Sequence, residues 1–268
     1  MLLMINYELK LNKKSITNKQ LVMTKLIIQI TKLFVIALTF LLLQSCMNSN
    51  WNRETISGNG NIVEVSRTVD TPFQAVKAQT GLDVIIRQDN NVSIKVEADE
   101  NLLDHIFTEV KDGELIIHSD ANILNFKAKK IYVCVPNLNK ISSSSGASIN
   151  SEKTLDFDNL ELESSSGSVI DITVKSNYLS CESSSGSSII AKGSAKSITT
   201  ESSSGSTIDL ENLIAENGQS SSSSGSSTNV NVTNELKADA SSGSSIHFVT
   251  KPSSLIKDES SGGSVSSK

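Results

Sequence analysis

The chain contains the string Ser143-Ser144-Ser145-Gly146-Ala147 and repeats it six more times with small variations. Each copy has two or more serines, a glycine and then a small residue, and the later copies surround Gly167, Gly186, Gly205, Gly225, Gly243 and Gly262. Successive glycines lie 21, 19, 19, 20, 18 and 19 residues apart. A period near twenty residues is typical of a solenoid, in which each repeat forms one coil stacked on the previous one.

Aliphatic residues keep a fixed distance from these glycines, which a flexible serine-rich linker has no reason to do. Three positions after the glycine, six of seven copies carry Ile149, Ile170, Ile189, Ile208, Ile246 or Val265. Seven positions before it, five copies carry Leu160, Leu179, Ile198, Leu236 or Leu255. Five positions after it stand Ile172, Ala191, Leu210, Val230 and Phe248. These offsets share one parity, and alternation with a period of two indicates β-strands.

We therefore predict an all-β fold, preceded by a signal segment. The fold is a single-stranded, right-handed parallel β-helix (a β-solenoid) with about 19–20 residues per turn. Leucine-rich repeats have a similar length, but their Leu-x-x-Leu-x-Leu frame is missing. Helical repeats are disfavoured by the serine content, because serine is a weak helix former.

The glycine position allows two geometries. If the strand runs straight through it, Ser164, Ser166 and Ser168 all face inward. Equivalent hydroxyls in coils about 4.8 Å apart could then bond to one another in a ladder. If the glycine instead marks a corner with positive φ, the parity would reverse on one side. The sequence leaves both open.

Residues 1–45 are predicted to be a secretory signal, with Met23 as the true start. Lys25 and Lys32 flank a short basic region, an apolar run covers Leu33 to Leu43, and Cys46 follows shortly after. This order resembles the lipobox of bacterial lipoproteins, which implies that Cys46 is acylated and becomes the mature N-terminus. A transmembrane helix is disfavoured, because the eleven-residue run is shorter than the roughly 20 residues that a bilayer needs.

The rest of the chain divides into three predicted parts. Residues 46–60 form the lipidated cysteine and a polar tether, residues 61–140 form N-terminal β turns and a cap, and residues 141–268 form the Ser-Gly solenoid. In the middle part we expect strands at Val84–Ile86, Val92–Val96, Leu115–Ile117 and Ile131–Val135.

Two further features are predicted in residues 61–140. A short helix is expected over Asn101–Val110, and Asp112-Gly113 indicates a turn. The 65 residues between Gly81 and Gly146 are enough for three further turns with insertions, which would begin the solenoid and close its end.

Four strings in this region resemble a known family: Thr71-Pro72-Phe73-Gln74-Ala75-Val76, Gly81-Leu82-Asp83-Val84-Ile85-Ile86, Val96-Glu97-Ala98-Asp99-Glu100-Asn101-Leu102-Leu103 and Asp112-Gly113-Glu114-Leu115-Ile116-Ile117. Together with Val135-Pro136-Asn137-Leu138 and the Ser-Gly strings, they are similar to the putative auto-transporter adhesin head domain, or GIN domain. The resemblance covers about residues 65–265. It implies a β-helical bacterial lipoprotein, surface-exposed or periplasmic, and brings no catalytic residues with it.

Charge and motif content argue against several functions. From Cys46 onward the chain has 18 basic and 28 acidic residues, so nucleic acid, which needs basic patches, is not an expected partner. The three histidines, at 105, 118 and 247, lie in unrelated segments without metal-ligand spacing. We predict no catalytic residue, no enzyme activity and no cofactor. Cys134 and Cys181 are expected to be unpaired thiols, with a disulfide between them as the alternative.

One offset is acidic in most repeats. Four positions before the glycine stand Glu163, Glu182, Glu201, Asp239 and Asp258, while Ser142 and Ser221 occupy the other two copies. Stacked coils would place consecutive carboxylates about 5 Å apart in an exposed row. Such a row could bind Ca²⁺ or another hard cation, or it could be a solvated stripe that prevents lateral aggregation.

A second offset is serine in all seven repeats. Two positions before the glycine stand Ser144, Ser165, Ser184, Ser203, Ser223, Ser241 and Ser260. On a flat exposed face, this hydroxyl row could contact glycan hydroxyls or ordered water, as in an ice-binding solenoid, or could simply keep the face soluble.

The sequence therefore predicts a non-catalytic, lipid-anchored lipoprotein of the outer membrane, at the cell surface or the periplasmic face. It would serve as an adhesin head or a structural or binding module for a glycan or protein ligand. The alternatives are a β-helical polysaccharide-active enzyme and the cation-binding solenoid. Beyond the last glycine, Ser266, Ser267 and Lys268 either blunt the exposed edge or leave it to pair edge to edge with another subunit.

Overall fold

The computed structural model describes Lys25, residues 28–36 and residues 53–268. Residues 28–36 are helical and their side chains are exposed. No helix among the described residues is long and apolar enough to cross a membrane. The predicted start Met23, the predicted lipidation site Cys46 and the tether up to residue 52 lie outside the described residues.

Residues Glu54–Lys268 form one compact unit of twenty strands and a 3₁₀ helix at Glu100–His105. The first nine strands are β1 (Thr55–Ser57), β2 (Ile62–Arg67), β3 (Ala75–Ala78), β4 (Asp83–Gln88), β5 (Ser93–Asp99), β6 (Ile106–Lys111), β7 (Glu114–Ser119), β8 (Asn122–Leu124) and β9 (Lys129–Val135). The remaining strands are β10 (Lys140–Ser143), β11 (Ser148–Ser151), β12 (Leu155–Asp156), β13 (Asn159–Ser164), β14 (Val169–Ser183), β15 (Ser188–Ser202), β16 (Thr207–Ser222), β17 (Ser227–Ala240), β18 (Ser245–Phe248), β19 (Ser254–Glu259) and β20 (Ser264–Ser267).

The Ser-Gly repeats stack in parallel, one coil on the next. β14, β15, β16 and β17 each run from one Ser-Gly string to the next and pair in parallel, so that Ile170 lies beside Ile189 and Ile189 beside Ile208. The register shifts within the β15–β16 and β16–β17 pairings, away from the Ser-Gly strings. The predicted β-solenoid is confirmed, with about seven turns of stacked parallel coils. The aliphatic residues at these offsets form its continuous core, except Leu255 in the last repeat, which is exposed.

Each glycine lies at a corner. Ser166 and Gly167 both have positive φ, 53° and 70°, and the Ser168 N–H donates to the Ser165 carbonyl over 3.3 Å. Two left-handed residues closed by this bond are the pattern of a type I′ turn. The corner geometry was therefore the correct one of the two alternatives.

The corner does not reverse the parity, contrary to our expectation. Ser164 before it and Ser168 after it are both buried, whereas Ser166 points outward and is exposed. Because the two central residues of the turn, Ser166 and Gly167, both lie outside the strands, the same face of the strand is buried before and after the corner. The inward placement of Ser166 belonged to the straight-strand alternative, which the structure does not adopt.

The buried serines are satisfied in a different way from the predicted ladder. Ser183 Oγ lies 2.9 Å from Ser187 Oγ across the same corner, and Ser187 Oγ donates to the Ser164 carbonyl of the neighbouring coil over 2.7 Å. The corner brings these hydroxyls within bonding distance, whereas equivalent serines remain about 4.8 Å apart. A bond between equivalent hydroxyls does join Thr200 and Ser220, over 2.7 Å.

The N-terminal region contains two coils instead of the three predicted. β3 and β4 turn at Thr80-Gly81, where φ is 58° and 70°, and they pair with β10 and β11 of the first Ser-Gly coil. On their other side they pair with β7 and β9. The coil that is second in sequence is therefore the outer one. β2, β5 and β6 add antiparallel pairings to it.

The four predicted strands of this region are present as β4, β5, β7 and β9. The helix predicted over Asn101–Val110 was wrong, because only Glu100–His105 is helical and Ile106–Lys111 is a strand paired with β7. The Asp112-Gly113 turn joins these two strands, with φ of 52° and 77°. The long-range pairing with β7 overrides the helical spacing of the apolar residues.

The tether prediction was wrong for residues 54–60, which are docked on the solenoid. β1 pairs in parallel with β8. The carboxylate of Asp99, which is fully buried, accepts the N–H groups of Gly60, Lys127 and Ala128 over 2.8, 3.1 and 3.0 Å. Burial raises the pKa of Asp99, but these three bonds and the charge of Lys127 outweigh it and hold the pKa below its ordinary value.

Candidate functional site

The acidic offset forms one row along the solenoid. The strand registers place Glu163 beside Glu182, Glu182 beside Glu201, Ser221 between Glu201 and Asp239, and Asp258 last. All of these side chains are exposed or half-exposed. The row is longest without interruption from Glu163 to Glu201.

Lys140 neutralises the first carboxylate of this row. Its Nζ bonds to Glu163 and lies 3.5 Å from Glu161. Burial raises the pKa of Glu163, yet the bond to Lys140 and its charge outweigh burial and lower it. Burial and a hydrogen bond to Glu163 raise the pKa of Glu161. Among the described residues, no group of three or more His, Cys, Asp or Glu could hold a metal ion, and cation binding by the row stays a prediction.

The predicted hydroxyl row at the −2 offset is also in register, but it is not the most exposed one. Six of its seven serines are half-buried and only Ser260 is exposed. Their backbone N–H groups bond to the neighbouring coil; that of Ser165, for example, donates to the Ser143 carbonyl over 3.0 Å. These serines occupy the first position of each turn, directly before the two residues with positive φ.

The outermost hydroxyls belong to the serine directly before each glycine. We define these as the corner row: Ser145, Ser166, Ser185, Ser204, Ser224, Ser242 and Ser261. All seven are exposed with φ between 48° and 54°. Their backbones are joined from coil to coil, since the N–H of Gly167 donates to the Ser185 carbonyl over 3.2 Å and the other corners repeat this bond.

The corner-row hydroxyls have no hydrogen-bond partner in the part of the chain that the structure describes. Neighbouring coils are about 4.8 Å apart, so the row presents a regular line of free donors and acceptors. The sequence analysis did not identify this row, because the straight-strand alternative placed Ser166 inside and the corner alternative assigned it no role. The serine–glycine pair was the available clue, because a type I′ turn places both central residues outside the strand.

Among the described residues, the three histidines, Cys134 and Cys181 form no shared site. His105 Nδ1 lies 2.9 Å from Asp120 Oδ1, the His118 ring stacks on Phe107 at 5.2 Å, and His247 Nδ1 lies 3.0 Å from Ser266 Oγ. Cys134 and Cys181 are free thiols, as expected. Burial raises the pKa of the Cys181 thiol to about 12, which keeps it protonated and unreactive.

Two clefts open near the N-terminal coils. One, of about 400 Å³, lies between the β2–β3 loop, Val92 and the segment after β9. The other, of about 490 Å³, lies between the end of β2, the 3₁₀ helix and β6. Neither includes a residue that the sequence analysis had singled out as a site.

The fold and these surfaces define a parallel β-solenoid whose outer faces repeat the same polar side chains at every coil. Residues 72–252 match the model of the family described as "Putative auto-transporter adhesin, head GIN domain", and the chain belongs to this family. The resemblance seen in the sequence is thereby confirmed.

Solved structures share the fold. A putative adhesin from Bacteroides fragilis NCTC 9343 superposes with a TM-score of 0.74 at 23% identity, over 80% of this chain and 100% of the other. A putative adhesin from Parabacteroides merdae ATCC 43184 gives a TM-score of 0.64 at 18% identity, over 80% and 99%. A putative lipid binding protein from Parabacteroides distasonis ATCC 8503 gives 0.64 at 17% identity, over 80% and 100%. No curated protein matches the sequence.

Family membership indicates an adhesin-like binding protein of the cell surface or envelope. The solved structures are only 17–23% identical to this chain, so they show that the fold is shared and nothing further.

Proposed function

We propose that the chain is a non-catalytic, lipid-anchored protein of the outer membrane that binds a ligand through the repeating faces of its solenoid. The observation that carries this proposal is the register of the coils. It aligns equivalent positions from coil to coil, and in the corner row all seven of these positions are serine. A catalytic centre needs unlike groups gathered at one place, whereas this surface repeats like groups along a line.

The corner row and the neighbouring acidic row suit a ligand that itself repeats. Hydroxyls donate and accept, and carboxylates accept, so a glycan chain could use the same contacts at successive coils. Each contact is weak, but contacts made by one connected ligand add through effective concentration. A protein ligand with a regular polar edge would be bound by the same logic.

The anchor in this proposal is Cys46, eight residues before Glu54 at the start of the compact unit. The order of basic residues, apolar run and cysteine supports acylation at this position. The docking of residues 54–60 on the solenoid would hold the body close to the membrane, because only residues 47–53 remain between the anchor and the compact unit.

Protease shaving of intact cells tests location and anchoring together. Cells that express the full chain are compared with cells that express the Cys46→Ala variant. We expect the wild-type chain in the membrane fraction and cleaved on intact cells, and the variant released from the membrane. A wild-type chain protected on intact cells would contradict surface display, and a membrane-bound Cys46→Ala variant would contradict the lipid anchor.

Binding is tested with the full chain in detergent on an array of glycans. Ser185→Arg places a bulky charge in the middle of the corner row, and Glu216→Arg places the same side chain at an exposed position away from it. We expect Ser185→Arg to reduce binding to any glycan that the wild type recognises, and Glu216→Arg to leave it. Equal loss in both variants would contradict the assignment of the row.

A further inference from the structure

The larger cleft at the N-terminal end carries an inference that does not depend on the solenoid faces. It has a volume of about 490 Å³ and is lined by Ser66, Arg67, Thr68, Leu103, Asp104, Ile106, Phe107, Thr108 and Glu109. The end of β2, the 3₁₀ helix and the start of β6 supply these residues. Most of them are polar, and Arg67 is the one cation among them.

Arg67 has no counter-ion among the described residues. Its Nη2 donates to the Leu103 carbonyl over 2.9 Å, and its Nε is buried and has no partner in the described part of the chain. Arg87, in contrast, donates to Glu152 over 2.8 Å and lies 4.9 Å from the Tyr132 ring. A half-buried guanidinium without a compensating charge is unfavourable, and in an otherwise acidic protein this lack of a partner needs a reason.

The carboxylates of the cleft do not supply that charge. Glu109 pairs with Lys111 over 2.6 Å, and Asp104 forms no ion pair with any described residue. The Leu103 carbonyl accepts one N–H of the Arg67 Nη2, and the Nε is buried, which leaves the Nη1 group and the second Nη2 N–H for an external acceptor. A planar guanidinium matches the two oxygens of a carboxylate.

The other lining groups match a sugar ring. The hydroxyls of Ser66, Thr68 and Thr108 have no hydrogen-bond partner among the described residues, and the carboxylate of Asp104 can accept sugar hydroxyls. Phe107 is half-buried and stacked on His118, which holds its ring in place as an apolar wall. Polar groups placed around an aromatic wall are typical of a site for a compact polar ligand.

We propose that this cleft binds an acidic sugar residue through its carboxylate, with Arg67 as the counter-ion. A singly charged carboxylate fits better than a phosphate or sulfate dianion, because Asp104 and Glu109 line the same cleft and repel the second charge. A sugar fits better than a peptide strand, because the cleft contacts only two residues of β2 and four of β6, too few for a strand to add to either.

Titration calorimetry on the full chain in detergent tests this proposal, with glucuronate, galacturonate, glucose, glucose 6-phosphate and an acidic tripeptide as probes. We expect saturable binding of a uronate, with glucose and glucose 6-phosphate at least about tenfold weaker. Arg67→Gln should lower uronate affinity about tenfold or more, and Arg67→Lys should lower it less, because Lys retains the charge but loses the paired geometry. Arg87→Gln, the matched control, should leave affinity unchanged.

Thr108→Val keeps the proposal testable if Arg67→Gln does not fold. This variant removes one hydroxyl at nearly constant volume, and we expect a loss of about threefold to tenfold for uronate. Absence of saturable uronate binding overturns the proposal. So does uronate binding that Arg67→Gln and Thr108→Val leave unchanged, and so does binding of the tripeptide in preference to both uronates. Because the cleft lies apart from the corner row, Ser185→Arg separates this site from the proposed function.

Discussion

The Ser-Gly coils and the N-terminal coils are built on the same corner but are held together differently. Thr80-Gly81 has φ values of 58° and 70°, nearly those of Ser166-Gly167. In the repeats, each contact is copied from coil to coil, as in the bond from each corner glycine to the next serine carbonyl. At the N-terminal end, single side chains such as Asp99 make contacts that occur once.

This difference determines which substitutions destabilise the fold most. Loss of one of the six copied glycine bonds leaves five equivalents and a small local defect. Loss of a contact that occurs once releases whatever it alone holds. We therefore expect a variant that removes a contact made once to lose more stability than a variant that removes a copied contact.

Asp99→Ala should have the largest effect. It leaves the N–H groups of Gly60, Lys127 and Ala128 without their acceptor, and unmet buried donors cost on the order of 3 kcal/mol together, or more next to a lost charge. Urea unfolding of the full chain measures the loss, and hydrogen exchange should locate it in residues 54–61. Ser187→Ala, which removes one copied hydroxyl contact, should cost about 1 kcal/mol. Equal losses in the two variants would contradict the comparison.

Low pH should remove the stability that the ionised carboxylate of Asp99 contributes. Burial raises the pKa of Asp99, but its three backbone bonds and Lys127 lower it below the ordinary value. A group with a lowered pKa in the folded state stabilises the protein above its unfolded pKa, and this stability is lost as the pH falls through the folded pKa. The difference in unfolding free energy between wild type and Asp99→Asn should therefore be constant near neutral pH and shrink below about pH 4. A difference that grows in acid would be inconsistent with this assignment.

Gly193→Ala should come next, since it breaks the stacking of two coils. Gly193 has φ of 117°, and an added Cβ would lie 2.1 Å from the Val174 carbonyl oxygen of the adjacent coil. We expect a loss of about 2–3 kcal/mol from the forced displacement. Gly186→Ala is the matched control, because no atom lies within 4 Å of its added Cβ and only the positive φ costs, about 1 kcal/mol. Melting temperatures of both variants give the order, and a reversed order would contradict it.

The sequence predicts the repeats well because their physics is local. The parity of Leu162 and Ile170 around Gly167 indicates which face is buried, and the fixed spacing indicates how coils align. The Thr80-Gly81 corner could have been found in the same way, since Val84 and Ile86 occupy the aliphatic offsets three and five positions after the glycine.

The N-terminal end could not be predicted to the same extent, because its contacts join residues far apart in sequence. The apolar spacing over Asn101–Val110 fits a helix, and only pairing with β7 makes its second half a strand. Likewise, nothing near Asp99 in the sequence indicates that it binds Gly60 and Ala128. The Arg67 cleft is assembled from residues 66–68 and 103–109 and has no local motif.

The smallest predicted effect concerns the corner itself. Ser185 adopts φ of 54°, a left-handed conformation that asparagine tolerates better than serine. Ser185→Asn should therefore stabilise the full chain by about 0.5–1 kcal/mol, which raises the melting temperature of a domain of this size by about 2 °C. Ser184→Asn is the matched control: Ser184 is not among the residues with positive φ, so no gain is expected there.

Thr80 differs from the corner-row serines in that its hydroxyl makes a hydrogen bond within the fold. It has the same left-handed φ as Ser185, but its Oγ1 accepts the Ser119 N–H over 2.7 Å, so its hydroxyl contributes a bond to the fold. The corner-row hydroxyls make no such bond among the described residues. The left-handed backbone of these serines therefore costs free energy that no hydrogen bond of the side chain offsets. If Ser185→Asn stabilises the chain and Ser184→Asn does not, serine is not there for stability. If both variants shift the melting temperature equally, the left-handed backbone costs nothing and this distinction between the two kinds of corner disappears.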